Sequence, residues 1–508
     1  MHTPISTLHD ELLWAIFTES AEFPDILTPA DERPIITVRH CSQVSQQWRR
    51  ILLSSPSIWA RMIDLDFLGQ RSGDWRAEVV SRAGQAPLWV YGLMRRRMVS
   101  FFLPLLQNNW YRVEAIGLAD DLSSLSLQDR QAMWDCLKKP APSLRRFIFQ
   151  LCEEDVDLPN PLFGHDAPVL QDLHFASPVY KIEPIAPWAH NISGISFSTA
   201  FSTSEVLEGL KHMPQLDFVN ISVEETAHPI DSAAIIHLPH LQLLQVRGDM
   251  LCVAIILSSI TSSRDCCLCV WISAERGLPF DKAEYEQYER ASIKFIIPYF
   301  SLHPPSIVNV RYSLSGNCVN LVHGAPANKL RFDIPVAAQS IQSSTILKVL
   351  KEIDGLSNVK ELRLGLWMDY SALRNPDLVS ALDVFSSITT LTTIDHVLEC
   401  FLNHVSFINE CLPNLNILSI LPYTPRPKPE DPAHHRFLRR RKAIGLPISV
   451  LEIHLKPLYD VDYLEEHSGL VVRGFYSDQC LGEYRCGEGH PEELRFATKK
   501  ERPGLLRN

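Results

Sequence analysis

The chain has 508 residues, of which 46% are apolar and 21% are charged, and its formal net charge is −11 at pH 7. This length allows a large core, either in more than one domain or in one extended array, and the composition excludes a mainly disordered chain. The negative charge argues against a general nucleic-acid-binding protein, because affinity for phosphates needs a basic surface.

Cysteine usage and hydropathy indicate where such a chain resides. Most of its 12 cysteines sit in apolar runs, as Cys252 and Cys269 do, which is typical of buried free thiols in a reducing compartment. No apolar run approaches the ~20 residues that a membrane-spanning helix needs, and the first residues contain no apolar signal core. We therefore expect a soluble intracellular protein of the cytoplasm or nucleus, without a membrane or nucleic-acid partner.

The first predicted elements are helices with apolar residues on one side. In the first helix these residues are Leu8, Leu12, Leu13, Ile16 and Phe17, and Thr7 with Asp10 forms a possible capping box. After a turn at residues 28–31, a second helix carries Val38, Cys41, Val44 and Trp48, and it ends at Ser54-Ser55-Pro56 before Trp59 folds back onto the group. These short helices cannot bury their apolar sides alone, so they need a partner, either the rest of the chain or another protein.

This segment resembles an F-box. The matching residues are Leu8, Glu11, Leu12, Leu13, Ile16, Phe17, Cys41, Trp48, Arg49, Pro56 and Trp59. His9 replaces the usual proline, and the spacer from Ser20 to Thr37 is longer than in compact members. The resemblance implies that the segment binds the S-phase-kinase-associated adaptor of a cullin-RING ubiquitin ligase. The implied adaptor-binding residues are Leu8, Glu11, Leu12, Ile16, Phe17, Val44, Trp48 and Trp59. Alternatively, the helices only cap the elements that follow.

After residue 65, a short sequence motif recurs. In each copy a proline or polar residue precedes an apolar position, and a stretch of alternating apolar and polar residues follows, as in a strand. The first apolar positions of the copies are Leu144, Leu170, Ile192, Leu216, Leu241, Leu268, Val359, Ile388 and Leu415. Between most neighbours the step is 22 to 29 residues, which is the period of leucine-rich repeats. The alternation predicts a short strand in each copy, and Lys329–Ile334 is predicted as an additional strand or hairpin.

The segments between these strands have helical spacing. Glu205–Met213, with Ser202 or Ser204 as its cap, is one example, and residues 345–353 and Asp395–Cys411 are others. Stacked strand–helix units would share one core. The predicted fold class is therefore α/β: an N-terminal helical F-box-like unit (residues 1–65), then an irregular leucine-rich-repeat solenoid (66–460) with parallel strands on the concave side and helices on the convex side, then a polar C-terminal extension (461–508). The repeats resemble those that often follow an F-box in fungal proteins.

The remaining clusters indicate no catalytic or metal chemistry. No phosphate loop, nucleophile elbow or zinc-protease helix is present. We expect Cys266, Cys267 and Cys269 to be core thiols, and Cys480, Cys486 and His490 lack a fourth zinc ligand. The basic runs at 95–97 and 439–442 are predicted to be solvated, with the second as an alternative site for an acidic partner, and the histidines at 434 and 435 are predicted to lie on the surface. We therefore predict no metal, no cofactor and no enzymatic activity.

Together these features predict a substrate-receptor subunit of a cullin-RING (SCF-type) ubiquitin ligase. The F-box-like helices would bind the adaptor, and the repeats would bind a protein target whose identity a single sequence does not disclose. The alternative is a protein-interaction scaffold whose N-terminal helices only cap the repeats.

Overall fold

The computed structural model describes residues 8–23, 32–69, 72–120, 125–151, 161–175, 186–199, 201–223, 235–272, 282–304, 307–312, 317–323, 330–336, 356–366, 386–403, 412–421, 431–454, 459–476 and 479–496. The fold is mixed α/β with a large parallel sheet, as predicted. The chain divides into two compact units. The first comprises Met1–Leu243 with Ser259–Ser263, and the second comprises Leu244–Ser258 with Arg264–Asn508.

The chain begins with four helices: α1 (Asp10–Glu19), α2 (Pro34–Cys41), α3 (Gln46–Leu53) and α4 (Pro56–Ala60). The sequence predicted one helix through Val38 and Trp48, and this was wrong. Ser45 is extended and its hydroxyl accepts a hydrogen bond from the Trp48 N–H, so it caps a new helix. Helix α1 begins after His9, which makes no side-chain cap, and Thr7 of the expected capping box lies outside the described residues.

The sheet of the first unit is parallel, and each strand pairs with the next one along the chain. Its strands are β1 (Ile63–Asp64), β2 (Leu88–Met94), β3 (Val113–Asp120), β4 (Arg146–Leu151), β5 (Asp172–Phe175), β6 (Gly194–Phe197) and β7 (Phe218–Val223). The helices between them are α5 (Leu65–Leu68), α6 (Gly73–Ala83), α7 (Val99–Asn109), α8 (Leu127–Leu137) and α9 (Thr203–Lys211). Two further strands, β8 (Ile236–Leu238) and β10 (Ile260–Ser262), pair in parallel with each other. The predicted cap of α9 is confirmed, because Ser202 and Glu205 form a capping box.

The second unit contains β9 (Leu243–Gly248) except its first residue, α10 (Met250–Ser259) except its last residue, β11 (Cys267–Ile272), α11 (Lys282–Leu302) and a nine-stranded sheet. The strands of that sheet are β12 (Ile307–Tyr312), β13 (Asn317–His323), β14 (Leu330–Val336), β15 (Glu361–Leu366), β16 (Thr390–Thr393), β17 (Ile417–Ile420), β18 (Val450–His454), β20 (Val471–Tyr476) and β21 (Gln479–Arg485). They lie in the order β14-β13-β12-β15-β16-β17-β18-β20-β21, and only the pairs that involve β13 or β21 are antiparallel. The described part of the unit also contains helices α12 (Asp395–Asn403) and α13 (Ala433–Ala443) and the short antiparallel pair β19 (Tyr459–Asp460) and β22 (Arg495–Phe496).

A pattern of backbone hydrogen bonds recurs where strands begin. The Arg145 carbonyl accepts hydrogen bonds from two consecutive N–H groups, those of Gln171 (2.8 Å) and Asp172 (3.0 Å). Carbonyls that accept such a consecutive pair in the same way belong to Gln171, Ser193, Asp217, Lys360, Thr389 and Asn416. At these seven places the start of one strand is thereby fixed to the start of its neighbour.

The aligned apolar positions of the predicted repeats are all buried. Leu144 and Leu170, for example, lie two residues before β4 and β5 and are 1% and 0% exposed. Leu268 differs, because it lies inside β11. The additional strand predicted at 329–334 is confirmed as β14, and the thiols of Cys266, Cys267 and Cys269 are buried as expected.

Several predictions about the C-terminal region differ from the structure. Strands β20 and β21 belong to the segment predicted as a polar extension, yet β20 pairs with β18 and continues the sheet. His434 and His435 are buried, so their predicted surface position was wrong, and in the basic run Arg441 is also buried. The predicted turn at 28–31 and the predicted helix at 345–353 lie outside the described residues. Among the described helices, none has the length and apolar character needed to cross a membrane.

Candidate functional site

The four N-terminal helices have a core of their own. Leu13 and Phe17 of α1 point inward, and the Phe17 ring meets the Trp48 ring edge to face at a centroid distance of 5.0 Å. Such aromatic pairs contribute about 0.5–1.5 kcal/mol beyond the burial of their area. The Trp59 indole N–H donates to the Leu52 carbonyl at 2.8 Å, so this ring also belongs to the core. The helices therefore bury one side without the help of another protein.

Apolar side chains nevertheless remain on the surface of these helices. Leu12 and Ile16 are one helical turn apart on α1 and are 56% and 49% exposed, although their neighbours Leu13 and Phe17 are buried. Val44, in the turn between α2 and α3, is 62% exposed. We call Leu12, Ile16 and Val44 the exposed apolar set. Its members are three of the predicted adaptor-binding residues, and exposed apolar pairs such as Leu12 and Ile16 are typical of interaction sites.

The other predicted adaptor-binding residues divide by exposure. Glu11 is exposed, and Leu8 and Trp48 are half-buried. Phe17 and Trp59 are buried in the core of the four helices, where Phe17 contacts Trp48 and Trp59 donates to Leu52. These two side chains can support the shape of the surface but do not form part of it.

Hydrogen bonds between charged and polar side chains fix α1 against α3. The Asp10 carboxylate accepts a hydrogen bond from the Gln47 amide at 2.7 Å and another from the Arg50 guanidinium at 2.8 Å. The hydrogen bond from Gln47, together with the charge of Arg50, lowers the pKa of Asp10. At neutral pH the carboxylate is therefore ionised and holds the two helices in one relative position.

A buried ion-pair group joins the helices to the first strand. Nη1 of Arg33, at the N-cap of α2, donates to Asp64 Oδ1 at 2.8 Å and to Asp66 Oδ2 at 3.0 Å. The Asp64 side chain is fully buried, and its Oδ1 also accepts the N–H groups of Asp66 and Phe67 at the start of α5. Burial disfavours the charged guanidinium, but the two carboxylates outweigh this and raise the pKa of Arg33. We call Arg33, Asp64 and Asp66 the buried clamp, and sequence reasoning did not identify it.

The strands of the first unit present a second candidate surface. Alternate residues of a strand point to opposite faces, and on one face the described strands carry a row of half-buried polar groups. Arg146 pairs with Asp172 at 2.7 Å, and His174 Nδ1 lies 2.8 Å from Ser196 Oγ. Asn220 follows in register beside Ser196. Burial lowers the pKa of His174, so its ring is neutral at pH 7. We call these five residues the polar strand face.

Phe23 covers the beginning of this same face. Its ring lies 6.0 Å from the Trp89 ring and 5.4 Å from the Tyr91 ring, and the Arg146 guanidinium lies 5.5 Å from its centroid. Any Cβ at Gly117 would lie 2.3 Å from Phe23 Cζ, so glycine is required for the ring to pack there. The chain itself therefore occupies the face near β2 and β3, and the polar groups of β4 to β7 remain beyond it.

The second unit carries a comparable polar row on its own strands. Arg473 of β20 lies 2.7 Å from Glu483 and 3.6 Å from Glu452 of the neighbouring strand. The His454 ring stacks on Phe475 at 5.2 Å, and its Nε2 lies 3.2 Å from Ser419 Oγ. Both sheets thus present charged and polar groups on one face, which is an arrangement suited to binding another polar surface.

Three cysteine thiols have a raised pKa and are therefore poor nucleophiles. Burial raises the pKa of Cys41 and Cys136, and burial together with Glu465 raises that of Cys486 to about 12. Because the thiolate is the nucleophile, these cysteines are unreactive at neutral pH.

In comparisons with known proteins, the chain matches no protein-family model and no curated protein.

Proposed function

We propose that the chain is the substrate-receptor subunit of an SCF-type cullin-RING ubiquitin ligase. In this proposal the N-terminal helices form an F-box that binds the adaptor, and the strand–helix units form an irregular leucine-rich-repeat solenoid that binds a protein target. The chain itself carries out no catalysis. It raises the concentration of the target near the subunits that transfer ubiquitin, in the cytoplasm or nucleus.

The observation that supports this proposal best is the exposed apolar set. Leu12 and Ile16 stay at the surface although the core beneath them is already formed by Leu13 and Phe17. A helix whose exposed apolar residues are one turn apart is suited to binding an apolar groove or partner helix. Burying one leucine contributes about 1.5–3 kcal/mol, which corresponds to roughly 10- to 100-fold in affinity.

The test is binding of the full-length protein to the purified adaptor, measured by co-elution and by titration calorimetry. Leu12→Asp and Ile16→Asp should each weaken binding by at least about 10-fold, because a carboxylate would be buried without a partner. Leu127→Asp is the matched control. It changes an equally apolar residue that is 82% exposed, at the first position of α8, where an acid suits the helix dipole.

Two results would refute the proposal. One is that the wild-type protein, folded by circular dichroism, does not bind the adaptor. The other is that Leu12→Asp and Ile16→Asp bind as tightly as Leu127→Asp.

The buried clamp favours a second candidate function, a protein-interaction scaffold in which the helices only cap the strands. Arg33 ties α2 to Asp64 of β1 and to Asp66 of α5, as a cap would require. In that case the protein would not bind the adaptor, and Arg33→Met would weaken the first unit without affecting any complex with a ligase.

A further inference from the structure

A group of metal-ligand side chains lies in the second unit. His435 is on α13, and Glu466 and His467 end a 3-10 turn that begins at Asp462. One ligand atom from each of the three side chains lies within 4.8 Å of the others. His435 Nε2 is 2.9 Å and His467 Nε2 is 3.7 Å from Glu466 Oε1, and the two rings are 5.0 Å apart and nearly perpendicular.

Burial makes this arrangement unusual for histidine. The two imidazoles are 5% and 6% exposed, and among the described residues Nε2 of His467 has no hydrogen-bond partner. A buried polar atom without a partner costs stability, and such an atom calls for an explanation. A ligand that accepts the nitrogen lone pair would supply the missing interaction.

The ring of His435 is already oriented for this role. Its Nδ1 lies 2.9 Å from Asp431 Oδ1, which leaves Nε2 directed at Glu466. Histidines that bind metals commonly donate their other N–H to a carboxylate, which fixes the tautomer and raises the basicity of the ligand. Carboxylates thus face both nitrogens of His435, and a metal ion between Nε2 and Glu466 would take the place of the second hydrogen bond.

We propose that His435 Nε2, His467 Nε2 and a Glu466 carboxylate oxygen bind a zinc ion, with a fourth position open to water. Tetrahedral zinc with ligands at about 2.0–2.1 Å places neighbouring ligand atoms about 3.3 Å apart. The two distances to Glu466 Oε1, 2.9 and 3.7 Å, lie on either side of that value. The ligand atoms of the two imidazoles lie within 4.8 Å of each other, so a shift of up to about 1.5 Å between them completes the site.

The groups around the site determine which cation fits it. Arg439 Nε donates to Glu466 Oε1 at 2.6 Å, so it competes with a cation for the same oxygen. It is half-exposed and can turn outward when the ion binds. Mg²⁺ and Ca²⁺ need several oxygen ligands, whereas two imidazoles suit zinc and its neighbours in the transition series.

The experiment uses the full-length protein, stripped with a chelator and titrated with zinc in competition with a chromophoric chelator. We expect one zinc ion per chain and a rise in the unfolding temperature on binding. His467→Gln and Glu466→Gln should each weaken binding by at least about 100-fold, since even loss of an orienting group costs 10–100-fold. Asp431→Asn should weaken it by about 10-fold.

His434→Gln is the matched control. His434 is equally buried and adjacent on α13, but its nitrogens face Asp395 and the Tyr463 hydroxyl. This variant should bind zinc as the wild type does. Substituting cobalt distinguishes the site from the cysteines, because a site of imidazole and carboxylate lacks the thiolate-to-cobalt charge-transfer band.

Three outcomes would overturn the inference: a wild-type protein that binds no zinc, Glu466→Gln protein that binds zinc normally, or a thiolate band in the cobalt spectrum. Glu466 is half-exposed, so Glu466→Gln keeps the test decisive even if His467→Gln fails to fold.

Discussion

Arg33→Met should destabilise the first unit by about 3 kcal/mol. Removing one partner of a buried ion pair costs about 3–5 kcal/mol, because the other charge stays buried without compensation. The lower end of this range applies to Arg33→Met. The Asp64 carboxylate keeps its two backbone N–H donors, and Arg95 lies 3.4 Å from Asp66 and can compensate part of the remaining charge. Arg33→Lys keeps the charge but loses the planar geometry, so its cost should be near 1 kcal/mol.

The measurement is urea unfolding at 25 °C, followed by tryptophan fluorescence. The double variant Arg33→Met with Asp64→Asn removes both charges, and the new amide oxygen can still accept the N–H groups at the start of α5. We expect its loss of stability to be smaller than the sum of the single losses by about 1–3 kcal/mol. A loss below about 1 kcal/mol for Arg33→Met, or strict additivity in the double variant, would refute the reasoning.

The pH dependence of folding stability gives a second check of the buried clamp. Burial raises the pKa of Asp64 above its ordinary value of 3.8, in spite of the backbone N–H groups and Arg33. The folded state therefore takes up a proton before the unfolded state does, and protonation favours folding as the pH falls through the folded-state pKa. Without Arg33 this pKa rises further. The loss of stability caused by Arg33→Met should then be smaller at pH 4 than at neutral pH. A loss that does not change with pH would contradict a charged Asp64.

Three further outcomes are expected. Because burial lowers the pKa of His174 from 6.5, the unfolded state is protonated first, so stability should fall as the pH drops below 6.5, and His174→Asn should reduce this slope in urea unfolding. Gly117→Ala should cost about 1–3 kcal/mol by displacing the Phe23 ring, and the additional variant Phe23→Ala should recover part of that loss in thermal unfolding. An alkylating reagent followed by mass spectrometry should modify exposed Cys480 at pH 7.5 but reach Cys486 only after unfolding.

The strands were predictable because their signal is local. A buried apolar residue such as Leu144 or Leu170 sits two positions before a strand, and the alternation after it matches a strand that is buried on one face. The break between α2 and α3 was missed for an equally local reason. Apolar spacing continued through Val44 to Trp48, and only the hydroxyl of Ser45, acting as a cap, ended that continuity.

The candidate site was predictable only in part. Helical spacing placed Leu12 and Leu13 on one side of α1, but it could not separate the exposed residue from the buried one, since that depends on where α3 packs. The clamp and the histidine cluster gave no local signal at all. Arg33 and Asp64 are 31 residues apart, and His435 and Glu466 are also 31 residues apart, so each pairing exists only once the chain has folded.

The carbonyls that accept two consecutive N–H groups bear on how the chain can evolve. The connection from Asn416 to Ser449 is one and a half times as long as that from Gln171 to Ser193, yet the same pair of hydrogen bonds closes both. At the strands that have this pair of hydrogen bonds, register is thus set by a few residues at the strand start and not by the length of the connection. Insertions and deletions between strands can therefore accumulate without sliding one strand past the next, so related chains could differ greatly in length and sequence while keeping the same sheet.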